Sequence, residues 1–549
     1  MANIAFYGSH NAAYVVEENG EILLVLEVER FLNYKNSGLA QYLCPKVPDL
    51  VFLSKYIPQF IMNKLGINEF ETCYALNTDV IINGHHRLEK NIPAKKYEYG
   101  HHHRSHAAGV FYQSPYKEAL IFSFDGGGDD GKFNIYYGDR ENSVSLLETI
   151  INPVINESHI FYDLGFPYMV FGEYLADIKY EGLGMGNLVY PGKIMGLASY
   201  GNVIEEWLPH FIEFYKSNPD GSHTENWDDD GYYNYEPKIY KLGEQIGVKF
   251  DIKNRLSNQV AYDVAATSQR AFEECFLEIA KPYFEKYPNL PICITGGCGL
   301  NIILNTRLVE EFKREVFVGP NPNDCGIALG LMLDNLRPQE PVDITYSGSN
   351  LLDIDSLGQY IQNCTVQFTS HIADITELAK DIASGKIIGV ARDRAEHGAR
   401  ALGNRSIICN PSIPEMKDIL NAKVKHREWY RPFAPVVRLE DVNKYFEWEG
   451  ESRWMTFCPK VKEEWRDKLT SITHVDNTAR VQTVTREQNE WLYDLITEFE
   501  KETGVGVVLN TSFNVDGKPI LSTIKDAFTI LETTQMDGLV LENTYIKKL

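Results

Sequence analysis

His101-His-His-Arg-Ser-His106 opens a run that reads as a helix through Pro115. His102 and His106 are four residues apart and so share one helical face, a spacing that presents two imidazoles to a single metal ion. Zinc motifs of the HExxH form share it, but His103 stands where their glutamate would be, so a metalloprotease general base is missing. A solvated histidine-rich face fits the same pattern. Two aspartates in glycine-bearing contexts extend the set: Asp125, which opens the turn Asp125–Gly131 after an apolar run, and Asp324, in the loop Pro320–Gly326 before a helix-like segment. Two neutral imidazoles and two carboxylates suit a divalent first-row metal such as iron, manganese or zinc. Taken singly, either aspartate is equally an N-cap or an Asx turn.

The elements that must position these residues alternate strand and helix, which predicts an α/β fold. Apolar runs at Asn3–Tyr7, Ala12–Val16 and Ile22–Val28 form a β-meander that presents its first turn, Gly8–Asn11. A second strand-turn-strand unit spans Glu118–Phe124, the Asp125–Gly131 turn and Lys132–Tyr137. A long helix is predicted over Ser257–Lys286. It is followed by a strand ending in Gly296-Gly297, an amphipathic helix over Gly299–Arg314, a strand at Glu315–Val318 and a helix at Ile327–Asn335. Residues 337–358 read as a linker. Beyond them come a helix at Ile375–Ser384, a strand at Lys386–Val390 and a basic, glycine-bearing loop at Arg392–Arg405. The polar stretch from Asn218 to Glu236 reads as a surface insertion.

The chain has 549 residues, enough for two to four domains. With 53 Lys and Arg against 76 Asp and Glu, the net charge is −23. That disfavours nucleic acid as a partner without excluding a local basic groove. No apolar run is long enough for a transmembrane helix, and MANIAFYGSH lacks the features of a secretion signal. The nine cysteines are scattered without a CxxC pair, so neither a disulfide framework nor a cysteine zinc site is expected, and a cytoplasmic location is.

Ten ordered segments carry a family resemblance. They are GSHNAAYVV (8–16), HHHRSHAAGVFY (101–112), SFDGGGDDG (123–131), GKIMGLASYG (192–201), ITGGCGLNIILN (294–305), PNPNDCGIALG (320–330), EHGARALGNRSI (396–407), NAKVKHREWYRPFAP (421–435), THVDNTARVQ (473–482) and LNTSFN (509–514). The chain resembles the O-carbamoyltransferases of the NodU/TobZ type. The resemblance implies an actin/sugar-kinase-like (ASKHA) carbamoyl-transfer domain over 1–340 and an α+β YrdC-like domain over 359–549. It further implies that the second domain makes carbamoyl adenylate from carbamoyl phosphate and ATP, with Mg2+. The first then passes the carbamoyl group to a hydroxyl of a small-molecule acceptor, helped by an ion, usually Fe2+, on His102, His106, Asp125 and Asp324. A hydroxymethyl pyrimidine as acceptor, an inactive nucleotide-binding relative and a homodimer are compatible with the same resemblance. Departures from the common pattern are Ala399 for a proline, Asn11 for an aspartate, and Cys298-Gly299 for Val-Ala.

Within that scheme the residues suggest roles. His10, in its tight turn, is placed to take a proton from the acceptor, or it caps its own turn. Gly126, Gly127 and Gly128 let the backbone approach a phosphate, and Lys193 offers it a charge. Gly296, Gly297 and Asn301 are candidates for holding adenosine. Arg392, Arg394, Arg400 and Arg405 form one basic cluster, and Lys423, Lys425, Arg427 and Arg431 another. Cationic clamps of this kind offset the repulsion between carbamoyl phosphate and ATP, with Lys425 and Arg431 cast as catalytic and Arg400, Arg405 and Lys423 as phosphate contacts. Asn510 and Ser512 follow an apolar strand and offer short polar groups. Surface ion pairs and ordinary turns are the competing readings of these sets.

Overall fold

The structure, a computed structural model, describes residues 1–39, 50–77, 81–82, 86–149, 163–179, 188–216 and 235–549. Most of the expected surface insertion, 218–234, lies outside the described residues. The chain is mixed α/β and divides into two compact units. One comprises Met1–Glu21 with Asn36–Asp343, the other Ile22–Lys35 with Ile344–Leu549.

In the first unit, strands Ala13–Glu18, Ala2–Tyr7, Phe70–Leu76 and Ala94–Gly100 lie side by side in that order. The first pair is antiparallel and the other two pairs are parallel. A second sheet runs Ser143–Thr149, Gly131–Asp139, Glu118–Gly128, Ile292–Thr295, Val316–Phe317. Glu118–Gly128 is its central strand, buried from Ala119 to Phe124. The predicted Asp125–Gly131 turn is corrected here: the strand continues to Gly128 and the reversal falls at Asp129-Asp130. Phe124 pairs with Phe133 and Gly128 with Gly131, so Asp125–Gly127 bulge out of the ladder. Such a bulge re-aims a side chain that a regular ladder would hold in its pleat.

Helix His102–Gln113 follows directly on strand Ala94–Gly100. It crosses helix Ile327–Leu336 where Gly330 meets Gly109; a Cβ on Gly330 would lie 1.9 Å from the Ser105 carbonyl oxygen. Glycine is required there for the two backbones to touch. The contact draws the histidine helix to the segment that begins with Asp324. The helix predicted from Gly299 starts only at Ile302, after a short 3-10 turn over Gly297–Leu300.

The second unit is built on an eight-stranded mixed sheet. Its order is Phe368–Ile372, Thr544–Lys548, Gly538–Leu541, Ile388–Ala391, Arg405–Cys409, Val507–Ser512, Ala434–Arg438, Gln482–Val484. Helices Ile375–Ala383 and Glu490–Thr503 share a core with it. Leu492, Leu495, Ile496 and Phe499, at helical spacing, pack with Leu378, Ile382, Val390 and Ile408. Burying each such side chain contributes about 1.5–3 kcal/mol. Asp374 and Asn489 cap the two helices by accepting from Glu377 N and Leu492 N, and Gly504, at φ 74°, ends the second. The stretch read as a linker contributes Ile344 and Leu351 to the buried interior.

Candidate metal centre and cation cluster

Two strand ends and the bulge of a third strand build the first site. Tyr7 ends Ala2–Tyr7, Asp125 follows Phe124, and Gly296 follows Thr295. Ser123 pairs in parallel with Thr295, which sets the Asp125 bulge beside Gly297 just past the end of its strand. Gly296 adopts φ 87°, and a Cβ there would lie 2.1 Å from the Phe124 carbonyl oxygen. This close passage lets Gly297 N donate to Asp125 Oδ2 at 2.6 Å, while Gly126 N donates to Oδ1 at 2.6 Å.

His102, His106, Asp125 and Asp324 converge: one ligand atom from each lies within 4.8 Å of all the others. The two Nε2 atoms are 3.2 Å apart. His106 Nε2 is 3.5 Å from both Asp125 Oδ2 and Asp324 Oδ1, and His102 Nε2 is 3.9 and 3.8 Å from the same oxygens. Burial would lower the His106 pKa, but hydrogen bonds to Asp125 and Asp324 outweigh it and push the ring up to about 9. Burial would likewise raise Asp125, yet hydrogen bonds from His102 and His106 hold it well below the usual carboxylate range. A donor set of two imidazoles and two carboxylates fits a divalent first-row cation. Gly128 leaves room for the His102 ring, since a Cβ there would lie 2.7 Å from it.

The helix sorts its histidines by face. His103 points away from the cluster, Nε2 donating to the Gly131 carbonyl at 2.9 Å and Nδ1 accepting from Ser123 Oγ at 2.8 Å. Burial, reinforced by the His102 charge, holds it at about 3, so it is a neutral structural group. Asp129 and Asp130 accept from the backbone N–H groups of His102, His103 and Arg104, satisfying the helix N-terminus. Tyr7, which sequence reasoning missed, donates to Asp324 Oδ2 at 2.5 Å. Only its place at a strand end beside the Gly8 turn could have signalled it. His10 Nε2 lies 3.2 Å from the same oxygen, and its Nδ1 lies 3.2 Å from Asn11 Oδ1.

The other candidates of this unit vary in their commitments. Gly126 backs onto the Phe166 ring, and Gly127 has no atom within 4 Å of a Cβ position. Lys193 is buried on helix Tyr190–Ala198. Asn301 caps helix Ile302–Phe312 by accepting from Leu304 N at 3.0 Å and pairs with Gln269. Its side chain thus has a structural partner on both sides.

In the second unit a different cluster forms. Arg400, Arg427 and Arg480 lie near enough to Arg431 for its charge to lower each of them, with Lys425 beside Arg427 and Arg431. Burial first and the Arg431 charge second bring Arg400 down to about 10. Burial and neighbouring cations lower Arg427, Arg480 and Lys425 as well. Arg480 Nε has no hydrogen-bond partner among the described residues. Lys425 Nζ is caged by oxygens, donating to Ser512 O at 2.6 Å, Ser512 Oγ at 3.2 Å, Asn514 O at 2.8 Å and also to Asn514 Oδ1. Arg431 reaches Glu428 at 3.3 Å. Lys423 is exposed. Asn510 is buried and donates to the Ala401 carbonyl and Gln482 Oε1. Arg405 is wholly buried and donates to the carbonyls of Arg392, Asp393, Asn404 and Ser349. Its guanidinium is engaged within the fold.

Comparison with known proteins follows this division. Residues 50–333 match the family described as carbamoyltransferase N-terminus, and residues 379–548 match carbamoyltransferase C-terminus. The chain belongs to the carbamoyltransferase family. This carbamoyltransferase is 31% identical to nodulation protein NolNO of Sinorhizobium fredii over 98% of the chain and 79% of that protein. It is 32% identical to nodulation protein NolO of Bradyrhizobium diazoefficiens, covering 81% of the chain and 78% of the relative. It is 28% identical to 3'-hydroxymethylcephem-O-carbamoyltransferase of Streptomyces clavuligerus over 100% and 99% of the two chains. No helix among the described residues is long and apolar enough to cross a membrane.

Proposed function

We propose that this carbamoyltransferase is an ATP-dependent O-carbamoyltransferase that builds carbamoyl adenylate in its second unit and transfers the carbamoyl group to a small-molecule hydroxyl in its first. The observation that carries the reading is the pair of opposite clusters: a buried His–His–Asp–Asp set in one unit and convergent, under-compensated cations in the other. The second is the arrangement that carbamoyl phosphate and ATP need. Arg400, Arg427, Arg431 and Arg480 offset the repulsion between the two substrates, and Lys425 braces the Ser512–Asn514 segment against them. Water displaces phosphate from carbamoyl phosphate to leave carbamate, whose oxygen attacks the α-phosphorus of ATP; the P–O bond to the β-phosphate breaks and pyrophosphate leaves.

In the first unit His102, His106, Asp125 and Asp324 would hold the divalent ion, which the family resemblance makes iron. When bound, such an ion supplies Lewis-acid polarisation of a carbonyl or phosphoryl oxygen. The acceptor oxygen attacks the carbonyl carbon, a new C–O bond forms, and AMP departs. The hydroxyl proton goes to His10, whose ring is partly exposed and braced by Asp324. Tyr7 orients that carboxylate by its hydrogen bond; burial, then the Asp324 charge, keeps the phenol protonated as a donor.

The test is an anaerobic, iron-supplemented assay with ATP and carbamoyl phosphate. Pyrophosphate release is expected without an acceptor, and mass spectrometry of hydroxylated candidates should find one that gains a carbamoyl group. Absence of pyrophosphate release overturns the reading.

A further inference from the structure

Residues 392–404 contain no helix or strand, yet they carry Arg400 into the cation cluster. Repulsion from Arg431 and Arg480 pushes that guanidinium outward, so something must hold the loop against it. Its ends are tied by its own arginines. Arg394 donates to Ser347 O at 2.6 Å and Leu23 O at 2.9 Å, and Arg405 donates to Arg392 O at 2.6 Å. Inside, Glu396 Oε1 gathers the N–H groups of Leu402, Asn404 and Arg405 at 2.6, 2.8 and 3.2 Å.

The remaining bend, Glu396–Gly398, is held by two side chains from near the start of the chain. Arg30 donates Nη1 to the Glu396 carbonyl and Nη2 to the Gly398 carbonyl, the latter at 2.5 Å. Gly398 N donates to Glu27 Oε1 at 2.8 Å, and Arg30 Nε lies 3.0 Å from Glu27 Oε2. Arg30 and Glu27 are 6% and 9% exposed, so these contacts are shielded from water. The cavity beside them is about 10 Å³. That is room for one water and not for a substrate.

We propose that Glu27 and Arg30 are positioning residues for the activation half-reaction, clamping the backbone at 396–398 so that Arg400 faces the anionic substrates. This rests on reading the second cluster as the anion site. The full-length enzyme tests it through a double-mutant cycle. Arg30→Gln is expected to lower kcat/KM for carbamoyl phosphate-dependent pyrophosphate release at least 30-fold, as Arg400→Gln does. The double variant should then be no worse than Arg400→Gln alone, because Arg30 acts only through Arg400. Amide exchange should rise at Leu402 and Asn404 while the sheet stays protected. Glu27→Gln should show the same pattern at smaller size, and it carries the cycle if Arg30→Gln does not fold. Losses that multiply, or unchanged exchange over 396–404, overturn the proposal. Should the parent enzyme release no pyrophosphate, the anion-site reading falls, while the exchange experiment still decides whether the clamp exists.

Discussion

His102, His106, Asp125 and Asp324 bring prospective cations and anions together, and each sign stabilises the other: His106 is pushed up and Asp125 down. The cluster on the second unit gathers Arg400, Arg427, Arg431, Arg480 and Lys425, with Glu428 and Asp516 as the acids facing it. Burial and like charge depress Arg400, Arg427, Arg480 and Lys425. The first cluster is balanced by its own residues, and on the proposed reading it would exchange a proton for a cation. The second has Glu428 and Asp516 as counter-charge, and on the same reading a polyanion supplies the rest. On the proposed reading, two sites in one chain select ligands of opposite sign.

The largest expected effects come from breaking one cluster at a time. His102→Ala should cut carbamoyl transfer by about 10³-fold or more while pyrophosphate release persists, and Arg431→Ala should abolish pyrophosphate release, and overall transfer with it, while transfer from supplied carbamoyl adenylate persists. If both variants fail the same half-reaction, the division of labour is wrong. Next in size, Tyr7→Phe removes the donor to Asp324 and should weaken metal affinity by about 10–100-fold, read by competition with a chelator. Proton linkage sharpens the contrast further. With the metal-free His106 ring at about 9, metal binding at pH 8 must release protons, and affinity should fall by up to about tenfold per pH unit on acidification. Polyanion binding should instead take protons up as pH rises into the range where Lys425 titrates. Calorimetry in two buffers of different ionisation enthalpy reads both signs.

Smaller effects concern stability. His103 titrates at about 3 when folded and near 6.5 when unfolded, so its contribution is present above pH 6.5. It should be lost as pH falls toward 3, by at most about 1.4 kcal/mol per unit. His103→Gln should flatten that limb of the Tm–pH profile. Asn301→Ala removes a helix cap and should cost about 1 kcal/mol, seen as a lower denaturation midpoint.

Legibility followed the range of the interactions. The pairing of His102 with His106 could be read directly, since helical periodicity is local. That His103 faces the other way follows from the same periodicity, but its partners, Ser123 and Gly131, do not. The strands at Glu118 and Ile292 were visible as apolar runs. The bulge at Asp125–Gly127 was not, because glycines are equally good in a turn and it is the pairing of Gly128 with Gly131 that decides. Arg405 looked like its neighbours in a basic loop, and only its burial among carbonyls distinguishes it from Arg400.

What the sequence by itself determined was the inventory: the family, the order of strands and helices, a pair of imidazoles on one face and two basic segments. These depend on neighbours within a turn or a strand and on motifs that survive as strings. Tertiary structure alone decided which aspartates meet those imidazoles, that Tyr7 steadies one of them, and that Glu27 and Arg30 grip a loop 366 residues further on. Such contacts are set by sheet register and by how closely two helices or strands approach, and no spacing along the chain encodes them.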